Sequence, residues 1–175
     1  MKILVTGACG YKGSALVPKL IQAGHEVVAL DIMWFGNYLK PDSKLTVINA
    51  DVRDTNSIPL SGVDAIVHLS SIANDLCGDL NPKLTWEVSC LATMQLVDKA
   101  ARAGIPHFIY ASSGKVYMPT DKKITIDSKT APKTTLGKAK LIAEKKIIKS
   151  TFFKKNNIKI LRIFNLYGKN QNKQF

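Results

Sequence analysis

Three glycines, Gly7, Gly10 and Gly13, and an acid, Asp31, are the first residues in this chain whose types and spacing could do chemistry. The glycines fall as G-x-x-G-x-x-G. Gly7 suits a tight turn, Gly10 lets backbone approach a diphosphate with no side chain between, and Gly13 lets a helix sit close to a sheet. Tyr11, Lys12 and Gly13 lead into that helix, whose N-terminal N–H groups and positive dipole end attract phosphate. Asp31 would accept hydrogen bonds from an adenosine ribose and would repel a 2′-phosphate. Together these residues predict a dinucleotide site for NAD, with NADP disfavoured. The plain alternative is a glycine-rich turn with no ligand. Lys12 occupies a place that often holds an apolar residue, and its side chain is read as facing solvent.

The elements that must position these residues are legible from apolar patterning. Lys2–Val5 and Glu26–Leu30 read as buried strands, with a helix over Ser14–Ala23 between them that Gly24 stops. The loop from Ile32 to Lys44 contains Met33, Trp34 and Phe35, which would cover an adenine or pack on their neighbours. Leu45–Asn49 is a third strand. Beyond it, the Asp51 carboxylate and the Val52 N–H would read the adenine edge, unless Asp51 is a helix cap. A fourth strand, Asp64–Leu69, is followed by Ser70 and Ser71, small residues that let backbone at Leu69, Ser70 and Ser71 lie close to a cofactor. His68 has no partner at ligand spacing and is read as a core residue. A long helix over Lys83–Ala103, a strand at Phe108–Ser112, a polar loop at Met118–Thr135, a helix over Leu136–Phe153 and a strand at Ile158–Phe164 complete the order. Strands alternating with helices predict an α/β fold: a Rossmann-type doubly wound parallel sheet with helices on both faces, one domain over 1–175. Ligands then bind beyond the carboxyl ends of the strands.

Bulk properties narrow the function classes. A chain of 175 residues with 46% hydrophobic content and mean hydropathy near zero fits a soluble globular protein. No apolar run is long enough to span a membrane, and no signal-peptide pattern opens the chain. Cys9, Cys77 and Cys90 have no metal spacing, which predicts no metal site and reduced thiols in a cytoplasmic protein. Residues 1–114 carry a net charge of −1 and residues 115–175 carry +13, within a total of +12. Because 22 of the 25 basic residues are lysines, without an arginine or aromatic pattern, nucleic acid is a weak prospect and a solvated basic surface the favoured reading.

Longer motifs carry a resemblance. TGACGYKG at 6–13, LDIMWFGN at 30–37, DVRD at 51–54, VHLSSIA at 67–73, LATMQLVDKAARAG at 91–104, FIYASSGKVY at 108–117 and LRIFNLYG at 161–168 occur in that order. The chain resembles the extended short-chain dehydrogenase/reductase superfamily, in particular the NAD-dependent sugar-nucleotide epimerases and dehydratases. The resemblance implies that Ser112 and Phe164 also border the cofactor, that Ser113 holds a reacting sugar hydroxyl, and that Asn165 touches substrate. It implies that a tyrosine takes a proton while hydride passes to the nicotinamide. A lysine four residues on binds the nicotinamide ribose and lowers the tyrosine pKa.

That lysine is Lys140, and the tyrosine position is Leu136. Leucine carries no proton, and losing a general acid/base removes about 10²–10⁴ in rate. Ser89 stands where the family has an asparagine, Met118 where it has a glycine after Val116-Tyr117, and Gly114 and Lys115 where its 4,6-dehydratases have Asp and Glu. Family members also continue past residue 175, so the resemblance implies a fold lacking the C-terminal substrate subdomain. Three functions follow as expectations. The first is an NAD-binding protein with impaired or no catalysis of its own. The second is an active epimerase or oxidoreductase using Ser113 and Lys140, which employs another acid/base or completes its nucleotide-sugar site with a partner chain. The third is a non-catalytic binding or interaction module that senses NAD as a ligand or docks through its basic C-terminal half. The helices near 83–103 and 136–153 are the candidates for homodimer packing.

Overall fold

The computed structural model describes residues 1–150 and 157–168. Lys2–Thr6 (β1), Glu26–Asp31 (β2), Leu45–Asn49 (β3), Ala65–His68 (β4), His107–Ser113 (β5) and Asn157–Ile163 (β6) form one sheet in the order β3-β2-β1-β4-β5-β6. Every neighbouring pair is parallel. Short apolar runs such as Ile3-Leu4-Val5 and Ala65-Ile66-Val67 form these strands because a parallel sheet buries both faces. Successive side chains take opposite sides. Leu4, Leu30, Ile66 and Phe108 join one core cluster, while Val5, Ala29 and Val67 join the other. The expected doubly wound α/β sheet is therefore present.

Helices cover both clusters. Tyr11–Gln22 (α1) brings Val17 to the second cluster, with Leu16, Leu20 and Ile21 packed against it. Between β4 and β5 lie Asp75–Leu80 (α2), Pro82–Trp86 (α3) and Ala92–Arg102 (α4), and Thr135–Lys149 (α5) precedes β6. Leu96, Val97 and Ala100 of α4 and Ala143 and Ile147 of α5 fill the first cluster.

Three expectations change in detail. The first helix begins at Tyr11 rather than Ser14, because Gly10 takes extended backbone and serves as its cap. The helix expected over Lys83–Ala103 starts at Pro82 under an Asn81 side-chain cap, and Glu87–Leu91 forms a π-helical turn between α3 and α4. Its periodicity hid the extra residue, since apolar spacing is nearly the same on either side of one wide turn. The helix expected to reach Phe153 ends at Lys149, where Ser150 takes extended backbone; residues 151–153 lie outside the described residues. Helix α2 was not expected. It is held by Asn74, whose side chain accepts from the Cys77 N–H and whose φ is 57°.

A buried ionic clip fastens the last helix to the last two strands. Glu144 of α5 is 1% exposed. It accepts hydrogen bonds from the Ser112 hydroxyl of β5 and from the Arg162 guanidinium of β6, the latter at 2.8–3.2 Å. Arg162 also lies 4.8 Å over the Tyr117 ring. Removing one partner of such a cluster leaves the other charge uncompensated in a low-dielectric place. Glu144→Ala is expected to destabilise the fold by about 3 kcal/mol and to lower the melting temperature by roughly 10 °C. The paired change Glu144→Leu/Arg162→Met should lose clearly less in the same circular-dichroism melts.

Candidate functional site

The turn after β1 is shaped by atoms that leave no room for a side chain. Gly7 has φ +69°, and a Cβ on it would meet the Ser70 backbone nitrogen at 2.7 Å. A Cβ on Gly13 would meet the Gly7 and Ala8 carbonyl oxygens at 2.4 Å. Gly13 is buried behind the turn, so of the predicted cofactor residues it acts by close packing and does not line the cavity described next. Gly7 and Ala8 donate their N–H groups to the Leu30 carbonyl, which fixes the turn against the end of β2. No side chain caps α1, whereas Thr134 caps α5. The first turn of α1 thus keeps N–H groups for an anion.

Asp31 is held by two backbone donors, Cys9 N at 2.9 Å and Met33 N at 2.7 Å. A carboxylate accepts about four hydrogen bonds, so lone pairs remain for hydroxyl donors. Burial, with help from the Asp31 charge, pushes the Cys9 thiol up to about 11, which keeps it protonated and unreactive.

These groups open onto a cavity of about 1760 Å³ at the carboxyl ends of the strands. Gly7, Gly10, Tyr11, Lys12 and Asp31 line one wall. Asp51 and Val52 lie at one end of it, with Trp34 and Phe35 from the loop after β2. The Asp51 carboxylate takes three hydrogen bonds from Arg53, and these hold its pKa below the usual carboxylate range. Arg53 also reaches Glu87 at 2.9 Å, so the alternative of Asp51 as a helix cap does not hold; Asp54 caps the following 3₁₀ turn instead. Leu69, Ser70 and Ser71 form the floor, and Ser112, Ser113, Leu136, Lys140, Phe164 and Asn165 close the other end. The cavity therefore brings together every predicted site residue except Gly13.

Two hydroxyls at this site are engaged elsewhere: Ser112 donates to Glu144, and Ser71 shares a hydrogen bond with Ser89 at 2.9 Å. Ser113 Oγ accepts from the Lys115 N–H at 3.2 Å. Leu136 is buried, one helical turn before Lys140 on α5, and presents only hydrocarbon to the cavity. Lys140 is 4% exposed; its ammonium donates to the Ala111 carbonyl at 2.8 Å and lies 4.8 Å over the Tyr110 ring. Burial first, then the Lys12 charge, lower its pKa to about 7 against the opposing pull of Glu144.

Behind the floor runs a buried polar chain that sequence reasoning missed. Thr6 Oγ1 and His68 Nδ1 are 2.6 Å apart, and His68 Nε2 and Thr93 Oγ1 are 2.8 Å apart. Thr93 then donates to the Ser89 carbonyl within the π-helical turn. Burial drives His68 down to about 3, so it is a neutral core residue, as its lack of a spaced partner suggested. The Lys115–Asp75 ion pair at 2.9 Å on the cavity rim was also missed, since nothing in sequence links residues so far apart. Among the described residues no group of His, Cys, Asp or Glu could hold a metal ion, and no helix is long and apolar enough to cross a membrane.

The sequence model of the NAD dependent epimerase/dehydratase family matches residues 3–175. The chain belongs to that family. It is 29% identical over 97% of its length to a putative UDP-glucose 4-epimerase of Methanocaldococcus jannaschii and 31% identical over 81% to a UDP-glucose 4-epimerase of Corynebacterium glutamicum. It covers 57% and 44% of those two proteins, so the chain spans about half the length of these curated relatives. The solved structure of MoeE5 in complex with UDP-glucuronic acid and NAD superposes with a TM-score of 0.86 at 26% identity, covering 100% of this chain and 58% of that one. Leu136 lines one cavity with the glycine turn, Asp31 and Lys140.

The Lys140 environment gives a pH-dependent signature. Below about pH 7 this lysine is charged both folded and unfolded, and the penalty for burying the charge is fully present. Between pH 7 and the ordinary lysine value of 10.5 the unfolded chain binds a proton that the folded one does not, so folding stability rises with pH. Lys140→Met is therefore expected to be more stable than the wild type at pH 6, by on the order of a few kcal/mol, with the gap closing by pH 10. Urea denaturation at a series of pH values reads the difference directly.

Proposed function

We propose that these 175 residues form an NAD site of the sugar-nucleotide epimerase/dehydratase kind that binds its cofactor but turns over little or nothing on its own. The uncapped first turn of α1 and the Gly10 backbone take the diphosphate. Asp31 takes the adenosine ribose, and its carboxylate favours NAD over a 2′-phosphorylated cofactor. Asp51 and the Val52 N–H take the adenine edge, and Lys140, with two ammonium donors left beyond the Ala111 bond, takes the nicotinamide ribose. Bound NAD supplies a hydride acceptor. Ser113 and Asn165 would hold a sugar hydroxyl beside it, with the substrate drawn from the nucleotide-sugars named for the relatives.

The observation that carries the proposal is Leu136. In the place where the family resemblance puts a proton-carrying phenol, the cavity wall is aliphatic, and no tyrosine stands a helical turn before Lys140. Without that group the sugar hydroxyl loses its phenolic proton acceptor as hydride leaves, at a cost of about 10²–10⁴ in rate.

A second reading rests on Lys140 itself. With a pKa lowered to about 7, it lies in the range of a general base near neutrality and could take the proton that the phenol would have taken, beside Ser113 in the same cavity.

Calorimetric titration and product analysis separate the two readings. The favoured one predicts saturable NAD binding in the micromolar range, weakened at least tenfold by Asp31→Ala. It also predicts no interconversion of UDP-glucose and UDP-galactose above the blank. Leu136→Tyr should keep NAD affinity within about threefold, because the substitution lies outside the ribose and diphosphate contacts. Turnover by the wild type that rises through pH 7 and vanishes in Lys140→Met would replace the first reading with the second.

A further inference from the structure

An ion pair sits at the end of the cavity that holds Ser113, Leu136 and Asn165. Lys115, in the 3₁₀ turn after β5, reaches Asp75, the first residue of α2, at 2.9 Å, and both residues line the cavity. Two contacts locate the pair. The Lys115 N–H donates to Ser113 Oγ, the hydroxyl that the family resemblance assigns to the reacting sugar. On α2, Gly78 stands one turn after Asp75, and a Cβ there would lie 3.6 Å from the Leu136 Cβ. The pair therefore belongs to the same corner of the cavity as Ser113 and Leu136.

Its charges are balanced narrowly. Asp75 Oδ2 holds the Lys115 ammonium, while Asp75 Oδ1 is buried and has no hydrogen-bond partner among the described residues. The Asp75 side chain is only 25% exposed, so drawing Lys115 away would leave a mostly buried carboxylate uncompensated. The Lys115 side chain is 55% exposed, and an ammonium has three N–H donors, so donors remain beyond the Asp75 bond. The other basic side chains lining the cavity have different posts. Lys140 donates to the Ala111 carbonyl and, in the proposed function, to the nicotinamide ribose. Lys12 belongs to the glycine-turn wall, and Arg53 is bound to Asp51 and Glu87 at the adenine end.

The inference rests on the nucleotide-sugar reading. A nucleotide-sugar can carry an uncharged hexose, as in UDP-glucose, or a hexuronate, as in UDP-glucuronic acid. A hexose hydroxyl accepts from the Lys115 ammonium without separating the pair. A hexuronate carboxylate only accepts, so it must compete with Asp75 for the same ammonium while facing a second negative charge.

We propose that Asp75 and Lys115 form a specificity-determining pair that makes this site take an uncharged nucleotide-hexose and reject a nucleotide-hexuronate. Lys115 supplies a hydrogen bond to a ring hydroxyl next to the one at Ser113. Asp75 does the rejecting, by occupying Lys115 and by opposing a further carboxylate. At the effective dielectric of a partly buried site, two like charges a few Å apart change affinity by about tenfold or more.

The test is calorimetric titration of UDP-glucose and UDP-glucuronic acid into NAD-saturated wild type, Asp75→Asn and Lys115→Met, each first shown to melt cooperatively and titrated with NAD alone. The wild type is expected to bind UDP-glucose at least tenfold more tightly than UDP-glucuronic acid. Asp75→Asn keeps the shape, removes the negative charge and frees Lys115. It should tighten UDP-glucuronic acid about tenfold and leave UDP-glucose within about threefold. Lys115→Met should weaken UDP-glucose several-fold and leave UDP-glucuronic acid the weaker ligand, which keeps the test open should Asp75→Asn fail to fold. Equal wild-type affinities, or a preference for the uronate, overturn the inference and leave the NAD reading standing. A preference that Asp75→Asn does not change overturns it too, since its source then lies elsewhere. A Lys115→Met loss confined to UDP-glucuronic acid makes Lys115 a carboxylate clamp and likewise overturns it. NAD binding with neither nucleotide-sugar following overturns the nucleotide-sugar half of the proposed function, and the inference with it. Failure of NAD itself to bind overturns the dinucleotide reading on which both depend.

Discussion

Everything at this site depends on how closely backbone approaches backbone where β1 turns into α1. The Gly7 backbone lies against Ser70 at the end of β4, and the first turn of α1 lies against the Gly7 and Ala8 carbonyls, at separations that only hydrogen atoms fit. A methyl at either point would push the helix off the sheet or the turn off β4. Because both contacts are made, the N-terminus of α1 ends over the carboxyl edge of the sheet, its uncapped N–H groups face the cavity, and Asp31 and Asp51 fall along the same rim. The cavity is a consequence of that approach rather than a separate feature of the fold.

The opposite wall of the cavity is built by different physics. Polar and charged side chains lie under α5 and α4, and the fold satisfies them with partners rather than water. Glu144 is enclosed by Ser112 and Arg162, His68 by Thr6 and Thr93, and Ser89 by Ser71 within the π-helical turn. These contacts fix α5 rotationally, because a small rotation would leave Glu144 buried without donors. Lys140, one turn earlier on the same helix, is thereby held against the Ala111 carbonyl. The π-helical turn has a related effect. It places Ser89 where its hydroxyl reaches Ser71, at a position where the family resemblance expects the longer amide of an asparagine.

Much of this was legible in the sequence because it is local. The apolar runs, the glycine spacing and the acid after β2 each report on a few neighbouring residues, and the sheet, the turn and the adenosine side of the cavity follow from them, whereas Ser112, Ser113, Lys140, Phe164 and Asn165 came only through the family resemblance. What stayed hidden depends on tertiary placement. The Lys115–Asp75 and Arg162–Glu144 pairs join residues from separate elements, and no spacing rule relates them. The short helix α2 starts on Asn74, whose backbone at φ 57° and ψ 165° is one that its sequence does not announce. Lys12 reads as a surface lysine within its own helix, and its influence on Lys140 exists only because α1 and α5 meet at one cavity.

Leu136 joins these points. In a relative with a phenol at that position, the ionised oxygen would be both the proton carrier and a counter-charge for the lysine one turn on. Leucine removes both at once. What remains within electrostatic reach of Lys140 is a carboxylate already shared between an arginine and a serine, and a second lysine of the same sign. A buried ammonium in that company gives up its proton more readily than an ordinary lysine, first because burial strips its water and then because Lys12 carries the same sign. Position 136 thus offers the cavity only hydrocarbon where the family resemblance expects a hydroxyl, one helical turn before a lysine whose own burial already brings it near neutrality.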